Sequence, residues 1–179
     1  MSNYILPPIS SITSLDTQAK VQLLTHLFEK CETLTSYLVP ELFNQNHTSY
    51  VNLIEAARSL LLKLLEGSDF QRINRIIAAH PRLGPQKQQL SSHSSSEQKS
   101  LAASSPEETE KLVSLNEEYE AVFPGLRYVV FVNGRSRASI MENMRKRIDR
   151  GDVGLERREA FEAMCDIALD RAKKLGAKL

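Results

Sequence analysis

The sequence is poor in the residues that cross-link small proteins or bind metals. Its 179 residues include two cysteines, Cys31 and Cys165, which are widely separated and lie in no metal-ligand spacing. This usage argues against a disulfide framework and against a zinc site. We interpret both cysteines as small core residues of helical segments and expect a reducing compartment.

Aromatic residues are also scarce, and tryptophan is absent. Phenylalanine and tyrosine supply 6% of the chain, so leucine, isoleucine, valine and alanine must build most of the core. Such a composition favours helices. A chain of 179 residues suits one compact domain, and neither an internal repeat nor a linker divides it.

An excess of charge and a long apolar run are both missing. The 23 basic and 22 acidic residues nearly cancel, which leaves no global field to attract nucleic acid or an anionic membrane. The most apolar stretch, residues 59–65, is interrupted by Lys63 and is far too short to cross a bilayer. The first residues lack the basic start and the apolar run of a secretory signal. We therefore expect no nucleic-acid partner, no membrane association and no secretory signal.

Familiar cofactor and catalytic motifs are absent as well. The sequence contains no glycine-rich phosphate loop, no His-Glu-x-x-His and no Gly-x-Ser-x-Gly. No motif therefore points to a bound nucleotide, a metal or a serine nucleophile.

Apolar residues recur at helical spacing through most of the chain. This pattern predicts an all-α, single compact multi-helix domain of about eight helices over residues 1–179. The clearest start is the run from Ser105 to Glu108, which combines a capping serine, a proline and two acidic residues. Ser14 or Asp16, Ser68 and Ser136 are expected to cap other helices. The predicted helices cover about 16–28, 34–43, 48–65, 68–80, 105–122, 136–148 and 155–175.

Two stretches depart from this helical pattern. Residues 82–96 are polar and rich in serine and glutamine, and we interpret them as an irregular loop. Long polar loops in compact domains are often functional. Residues 128–132 form a short apolar, β-branched run, which predicts an extended segment.

His80 is the best candidate for acid–base chemistry among the four histidines. It follows an apolar helical face and precedes Pro81, so we expect it at a helix exit, with its ring facing a pocket. The alternative is a histidine that only contacts the last carbonyls of that helix. His26 and His47 have no evident acid–base partner and are interpreted as structural or surface residues, and His93 as a solvated loop residue.

Ser94 and Glu97 have the spacing of a capping box, which would leave Gln98 as an ordinary surface residue. A functional alternative places the same helix start at the wall of a pocket, where free backbone N–H groups bind anions. The two interpretations are compatible.

Arg171 lies among apolar residues of the last predicted helix. Arginine is rarely buried without a partner. It can pair with a nearby acid such as Asp170 or Glu162, extend its head group to water, or clamp the carboxylate of a ligand.

Several stretches together resemble the 2-oxo-4-hydroxy-4-carboxy-5-ureidoimidazoline (OHCU) decarboxylase family. That family acts on the unstable last intermediate between urate and allantoin. The specific part is His-Pro followed by Ser-x-x-Glu-Gln, and the remaining stretches support it. In family order they are IIAAHPRLG (76–84), SSSEQ (94–98), LNEEYEAVF (115–123), YVVFVNGRSRASI (128–140) and ALDRAKKL (168–175).

The resemblance implies an all-helical carboxy-lyase that needs no metal or organic cofactor, takes a small-molecule substrate and forms a homodimer. It implies catalytic roles for His80, Glu97 and Arg171, with Arg127, Arg135 and Arg137 as rivals of Arg171. The substrate-contacting positions that it implies are Pro81, Ser94, Gln98, Tyr128, Val129, Val130, Phe131 and Val132.

From these roles we hypothesise that Glu97 orients His80 or raises its basicity, and that the pair delivers a proton to one face of the intermediate. The expected product is S-allantoin. Two other classes remain open. One is a helical interaction module without a deep pocket, and the other is an acid–base enzyme acting on a related ureido or imidazolinone compound.

The final tripeptide, residues 177–179, reads Ala-Lys-Leu and differs by one conservative change from the Ser-Lys-Leu peroxisomal address. The alternative is the frayed end of a helix in a cytoplasmic protein. Urate oxidation releases hydrogen peroxide, so a pathway enzyme with this ending predicts a peroxisomal location and binding to the peroxisomal import receptor.

Overall fold

The computed structural model describes residues 3–84, 91–99 and 105–177. Within these ranges the protein contains a short 3₁₀ helix and eight α-helices and no β-strand, so the predicted all-α class is confirmed. The 3₁₀ helix, which the sequence pattern did not predict, covers Ile9–Ser14. The α-helices are α1 (Thr17–Leu27), α2 (Glu32–Leu42), α3 (Tyr50–Leu65), α4 (Phe70–Ala78), α5 (Ser92–Lys99), α6 (Pro106–Val122), α7 (Arg137–Arg150) and α8 (Val153–Lys174).

Polar side chains at the helix starts explain most of these boundaries. Asp16, Ser105 and Ser136 each accept a hydrogen bond from the backbone N–H three residues later, as predicted. The expected cap at Ser68 is wrong, because Asp69 caps α4 by accepting from the N–H of Arg72. Cys31 also differs from the expected core residue. Its half-buried sulfur accepts a hydrogen bond from the N–H of Leu34 at the start of α2.

Helix α8 occupies the centre of the fold, where it packs against α1, α3 and α4. Its buried side chains include Phe161, Met164, Cys165 and Ala168, which join the single hydrophobic core. Burial raises the pKa of the Cys165 thiol to about 12, so this cysteine stays protonated as a core residue. Because α8 is held on several sides, the residues near its C-terminal end have fixed positions.

A buried ionic cluster fixes the non-helical chain between α6 and α7. The carboxylate of Glu156, which is fully buried, accepts from Tyr119 Oη at 2.6 Å and from Arg147 Nε at 2.8 Å. Arg147 Nη1 then donates to the carbonyl oxygen of Val129 at 3.1 Å. The segment 128–132 is therefore anchored on one side by α7 and α8, which leaves its other side to form a wall.

None of the helices in the described ranges is long and apolar enough to cross a bilayer. The Ala-Lys-Leu ending lies largely outside the described residues, since only Ala177 of the three is included.

Candidate active site

A cavity of about 290 Å³ lies between the C-terminal end of α4, the helix α5, the segment 128–132 and the last turns of α8. This volume is at the lower end of the range for small-molecule sites. All of the sequence-predicted site residues except Arg171 line it: His80, Pro81, Ser94, Glu97, Gln98, Tyr128, Val129, Val130, Phe131 and Val132. The sequence missed Leu83, Ser96, Asn133, Gly134, Ile167, Asp170 and Lys174, which line it too.

His80 lies two residues after the end of α4, as its position before Pro81 predicted. The residue is 5% exposed, and its Nε2 atom has no hydrogen-bond partner in the described structure. The pKa of the imidazole is lowered to about 4, mainly by burial; the Glu29 charge raises it in part, and the Arg171 charge lowers it. His80 is therefore neutral at pH 7 and offers a ring nitrogen without a protein partner to whatever occupies the cavity.

The backbone around His80 is held from two directions. Arg127 Nη1 donates to the carbonyl oxygen of His80 at 3.1 Å. Asn116 Nδ2, on α6, donates to the carbonyl oxygen of Leu83 at 2.9 Å. These bonds fix the backbone that carries the His80 side chain.

Helix α5 corrects two sequence-based interpretations. The chain is helical from Ser92, so the irregular loop predicted for 82–96 is wrong over its last residues. The capping box at Ser94 is also wrong, because the hydroxyl of Ser91 accepts from the N–H of Ser94 at 3.1 Å. Serine-rich sequence gives several equivalent cap positions, and tertiary contacts select among them.

Ser94 and Gln98 use their side chains to fasten α5 to the cavity. The Ser94 hydroxyl donates a short hydrogen bond to Glu29, which lies just after α1. Gln98 accepts from the N–H of Gly84 at 3.1 Å and donates to the carbonyl oxygen of Arg82 at 3.0 Å. Gln98 is thus not an ordinary surface residue, since it joins α5 to the turn that follows His80.

Arg171 is 1% exposed and lies behind Glu97 rather than on the cavity wall. Its Nε and Nη2 atoms bind the two carboxylate oxygens of Glu97 at 2.6 and 3.1 Å. Nη2 also donates to Glu29 at 2.9 Å, and Nη1 donates to the carbonyl oxygen of Phe28 at 3.0 Å. Burial alone would lower the pKa of this guanidinium, but Glu97 and Glu29 raise it, so Arg171 stays charged.

Arg171 therefore pairs with acids, as one of the sequence-based alternatives held, but not with the two acids that were named as examples. Asp170 pairs with Lys174 at 2.7 Å, and Glu162 pairs with Arg58. A side chain this buried does not extend its charge to water. The rival arginines bind elsewhere: Arg135 to the carbonyl oxygens of Phe131 and Val132, Arg137 to Thr109, and Arg127 to the His80 backbone.

Sequence reasoning also missed Glu29 and a pair of histidines. Glu29 is 8% exposed, and no motif marks it. His26 Nδ1 and His93 Nε2 lie 3.1 Å apart, so these residues are partners, and the expectation of a solvated His93 is wrong. His47 binds the carbonyl oxygen of Leu42 at 2.7 Å, in keeping with a structural role. Residues 3–84, 91–99 and 105–177 contain no cluster of three or more histidine, cysteine or acidic side chains suited to a metal ion.

Acid is expected to destabilise the fold from about pH 6.5 downward. The pKa of His80 falls from its usual 6.5 to about 4 on folding, so the unfolded chain binds this proton more readily. The contribution of neutral His80 to the stability of the folded protein is complete above pH 6.5, and it is lost as the pH falls toward 4. His93, with a pKa of about 4, adds less because it is more exposed to solvent. Urea titrations should show the unfolding free energy falling by roughly 2–3 kcal/mol between pH 7 and pH 4.

A His80→Gln variant provides the control for this pH dependence. Glutamine cannot bind a proton in this pH range. The unfolding free energy of the variant should therefore fall less steeply between pH 7 and pH 4. Equal slopes in the variant and the wild type would contradict the buried neutral state of His80.

The fold and the cavity define an all-helical protein with a buried acid–base site made of a histidine, two carboxylates and an arginine. The family model described as OHCU decarboxylase matches residues 13–173, and the chain belongs to this family. No curated protein matches the sequence significantly.

Two solved structures share the fold. A crystal structure of an (S)-allantoin synthase is 18% identical and superimposes with a TM-score of 0.67 over 94% of this chain. This chain spans about half of that protein, 54% of its length. A crystal structure of an OHCU decarboxylase in the presence of (S)-allantoin is 16% identical, with a TM-score of 0.60, and covers 90% of this chain and 99% of that one.

Proposed function

We propose that this protein decarboxylates 2-oxo-4-hydroxy-4-carboxy-5-ureidoimidazoline to S-allantoin in urate degradation, without a metal or an organic cofactor. The observation that carries the proposal is His80, a buried neutral histidine whose Nε2 atom has no protein partner on the wall of a small cavity. Membership of the OHCU decarboxylase family supplies the substrate.

The proton balance of the reaction explains why such a histidine is useful. The carboxylate leaves as neutral CO₂, and its bonding electrons pass into the conjugated ring. One proton must therefore be taken up for each CO₂ released. A neutral His80 accepts the proton of the substrate hydroxyl as that oxygen becomes a carbonyl, and it then returns this proton to the ring carbon. The proton taken up overall comes from solvent and neutralises the ring atom that received the bonding electrons. Since His80 approaches from one side only, one enantiomer is formed.

The segment 128–132 supplies polar backbone groups for the ring and its developing negative charge. Its Val129, Phe131 and Val132 carbonyl oxygens are occupied by Arg147 and Arg135. In the described structure none of its backbone N–H groups donates to another backbone group. N–H groups held in place at a developing oxyanion stabilise the transition state strongly.

Glu97 has a contact with Arg171 that the sequence did not predict. Its carboxylate forms a two-point ion pair with Arg171 while also lining the cavity. We assign it the task of orienting the polar groups of the substrate, with Arg171 holding it in position from behind.

Glu97→Gln is expected to lower kcat/KM by roughly 10–100-fold, because one charged hydrogen-bonding partner is lost. A coupled assay that follows S-allantoin by circular dichroism measures the change. Glu117→Gln, an exposed change on α6, is the control and should have no effect. If Glu97→Gln keeps both the rate and the enantioselectivity, Glu97 has no part in the reaction.

The function itself is tested with the wild-type protein. Urate, a urate oxidase and a hydroxyisourate hydrolase generate the unstable intermediate in place, and circular dichroism follows the product. Rapid build-up of S-allantoin is expected. Folded protein that gives no acceleration over spontaneous decay would refute the decarboxylase and favour a helical interaction module or an enzyme for a related compound.

We also propose a homodimer, by resemblance to the family, and a peroxisomal location through the Ala-Lys-Leu ending, which binds the import receptor. Sedimentation equilibrium should give twice the mass of one chain. A fluorescent fusion with a free C-terminus should enter peroxisomes, whereas one with residues added after Leu179 should stay in the cytosol. Monomers in solution, or import of the blocked fusion, would contradict these two proposals separately.

A further inference from the structure

The buried guanidinium of Arg171 serves two carboxylates, and only one of them faces the cavity. Glu97 lines the cavity, whereas Glu29 lies behind it in the turn between α1 and α2. Three polar hydrogens converge on the same oxygen of Glu29, its Oε1. They come from Arg171 at 2.9 Å, from Ser91 at 3.3 Å and from the short bond of Ser94. A carboxylate with this many donors is held in one position.

The ionised form of Glu29 is favoured despite its burial. Burial raises the pKa of its carboxyl, but Arg171, the Ser94 hydroxyl and His80 together lower it below the usual value. The influence is mutual, because the charge of Glu29 in turn raises the pKa of His80. The contacts agree with this influence, because Glu29 binds Ser94, which lines the same cavity as His80, and Arg171.

We propose that Glu29 is a positioning residue of the decarboxylation site, where its charge stabilises the protonated state of His80 while its oxygen holds Ser94 and Arg171 in place. This inference rests on the proposed function. It divides the work between the two carboxylates: Glu97 faces the cavity, and Glu29 acts from behind it, where it binds Ser94 and Arg171. Because His80 holds the hydroxyl proton before it returns it to the ring carbon, it passes through a charged state that would otherwise be costly at this depth.

The pH dependence of His80 has to be interpreted with all of its charged surroundings. They come from the turn after α1, from α5 and from α8. These groups are Glu29, His93, Glu97, Asp170, Arg171 and Lys174. Of these, Glu29 opposes the depression of the His80 pKa, and Arg171 adds to it.

Glu29→Gln tests the proposal, because the amide keeps an acceptor oxygen for Ser94 and Arg171 but removes the charge. The titration of His80 is followed in the full-length protein by NMR of ¹³C-labelled histidine, with His80→Gln used to assign the signal. We expect the pKa of His80 to fall by about one unit and kcat to fall by about tenfold. Glu29→Asp, which keeps the charge, should restore most of both.

Glu97→Gln is the matched control, since it removes the other carboxylate of Arg171. It should lower activity but leave the His80 titration close to that of the wild type. If Glu29→Gln leaves the His80 titration and the pH profile of kcat unchanged, or if the Asp and Gln variants behave alike, Glu29 does not act through its charge and the proposal is wrong.

The NMR titration of His80 tests this proposal independently of the enzyme activity. If the wild type shows no decarboxylation, the proposed function fails, yet the NMR titration still decides whether Glu29 supports His80. If Glu29→Gln does not fold, Ser94→Ala takes its place. The loss of one donor weakens the ionised form of Glu29, so the pKa of His80 should again fall, and an unchanged titration would overturn the proposal.

Discussion

Replacing His80 with glutamine is expected to lower kcat for S-allantoin formation by roughly 10²–10⁴-fold, the usual contribution of a positioned acid–base group. Glutamine fills similar space and can hydrogen-bond the substrate, but it cannot accept and return a proton. The product that still forms should approach a racemic mixture, because protonation is then left to solvent. The coupled circular dichroism assay reports both the rate and the handedness.

His47→Gln is the control for this substitution. His47 is partly buried and bound to a backbone carbonyl, yet it lies away from the cavity, so its removal should leave kcat unchanged. Circular dichroism in the far ultraviolet should show that both variants are folded. Full activity with full enantioselectivity in folded His80→Gln would refute the role of His80 in the reaction.

Replacing Arg171 with methionine is expected to destabilise the protein by about 3–5 kcal/mol, because the buried Glu29 and the half-buried Glu97 lose their shared cation. The side chain is 1% exposed, and methionine supplies similar length without charge or donors. Glu29 and Glu97 must then take up protons or open the structure to water. Urea denaturation measures the loss, and activity should disappear with it because Glu97 is no longer held.

Two comparisons sharpen this result. Arg145→Met removes a half-exposed arginine that pairs with Glu118 and Asp149, and it should cost no more than about 1 kcal/mol. The triple change Arg171→Met, Glu29→Gln and Glu97→Gln removes the stranded charges and should recover much of the lost stability. A loss below 1 kcal/mol in Arg171→Met would show that the buried ion pairs contribute little.

Helix positions could be predicted from the sequence because their causes are local. The apolar spacing and the capping residues Asp16, Ser105 and Ser136 all lie within a few residues of the boundaries that they set. The cap of α4 and the start of α5 were misplaced for the same reason. Neighbouring polar residues are locally equivalent there, and contacts with distant parts of the chain decide between them.

The cavity lining could be anticipated only through resemblance, and the partners within it could not be anticipated at all. No local signal joins Arg171 to Phe28 or to Glu29, which precede it by more than 140 residues. The association of His26 with His93 is also remote in sequence, since the two residues are 67 positions apart. The pairing hypothesised between Glu97 and His80 came from the roles that the resemblance implies, and no local signal showed that Glu97 also binds Arg171.

The long sequence separation within the Arg171 cluster has a consequence for the newly made protein. Chains are synthesised from the N-terminus, so Glu29 emerges well before the arginine that neutralises it. Until α8 has been made and packed, burial of the Glu29 carboxylate is unfavourable because no cation neutralises it. The chain after α1 and helix α5 are then not yet joined through Arg171. The site should therefore be the last part of the molecule to form, and refolding experiments should recover helical signal before they recover activity.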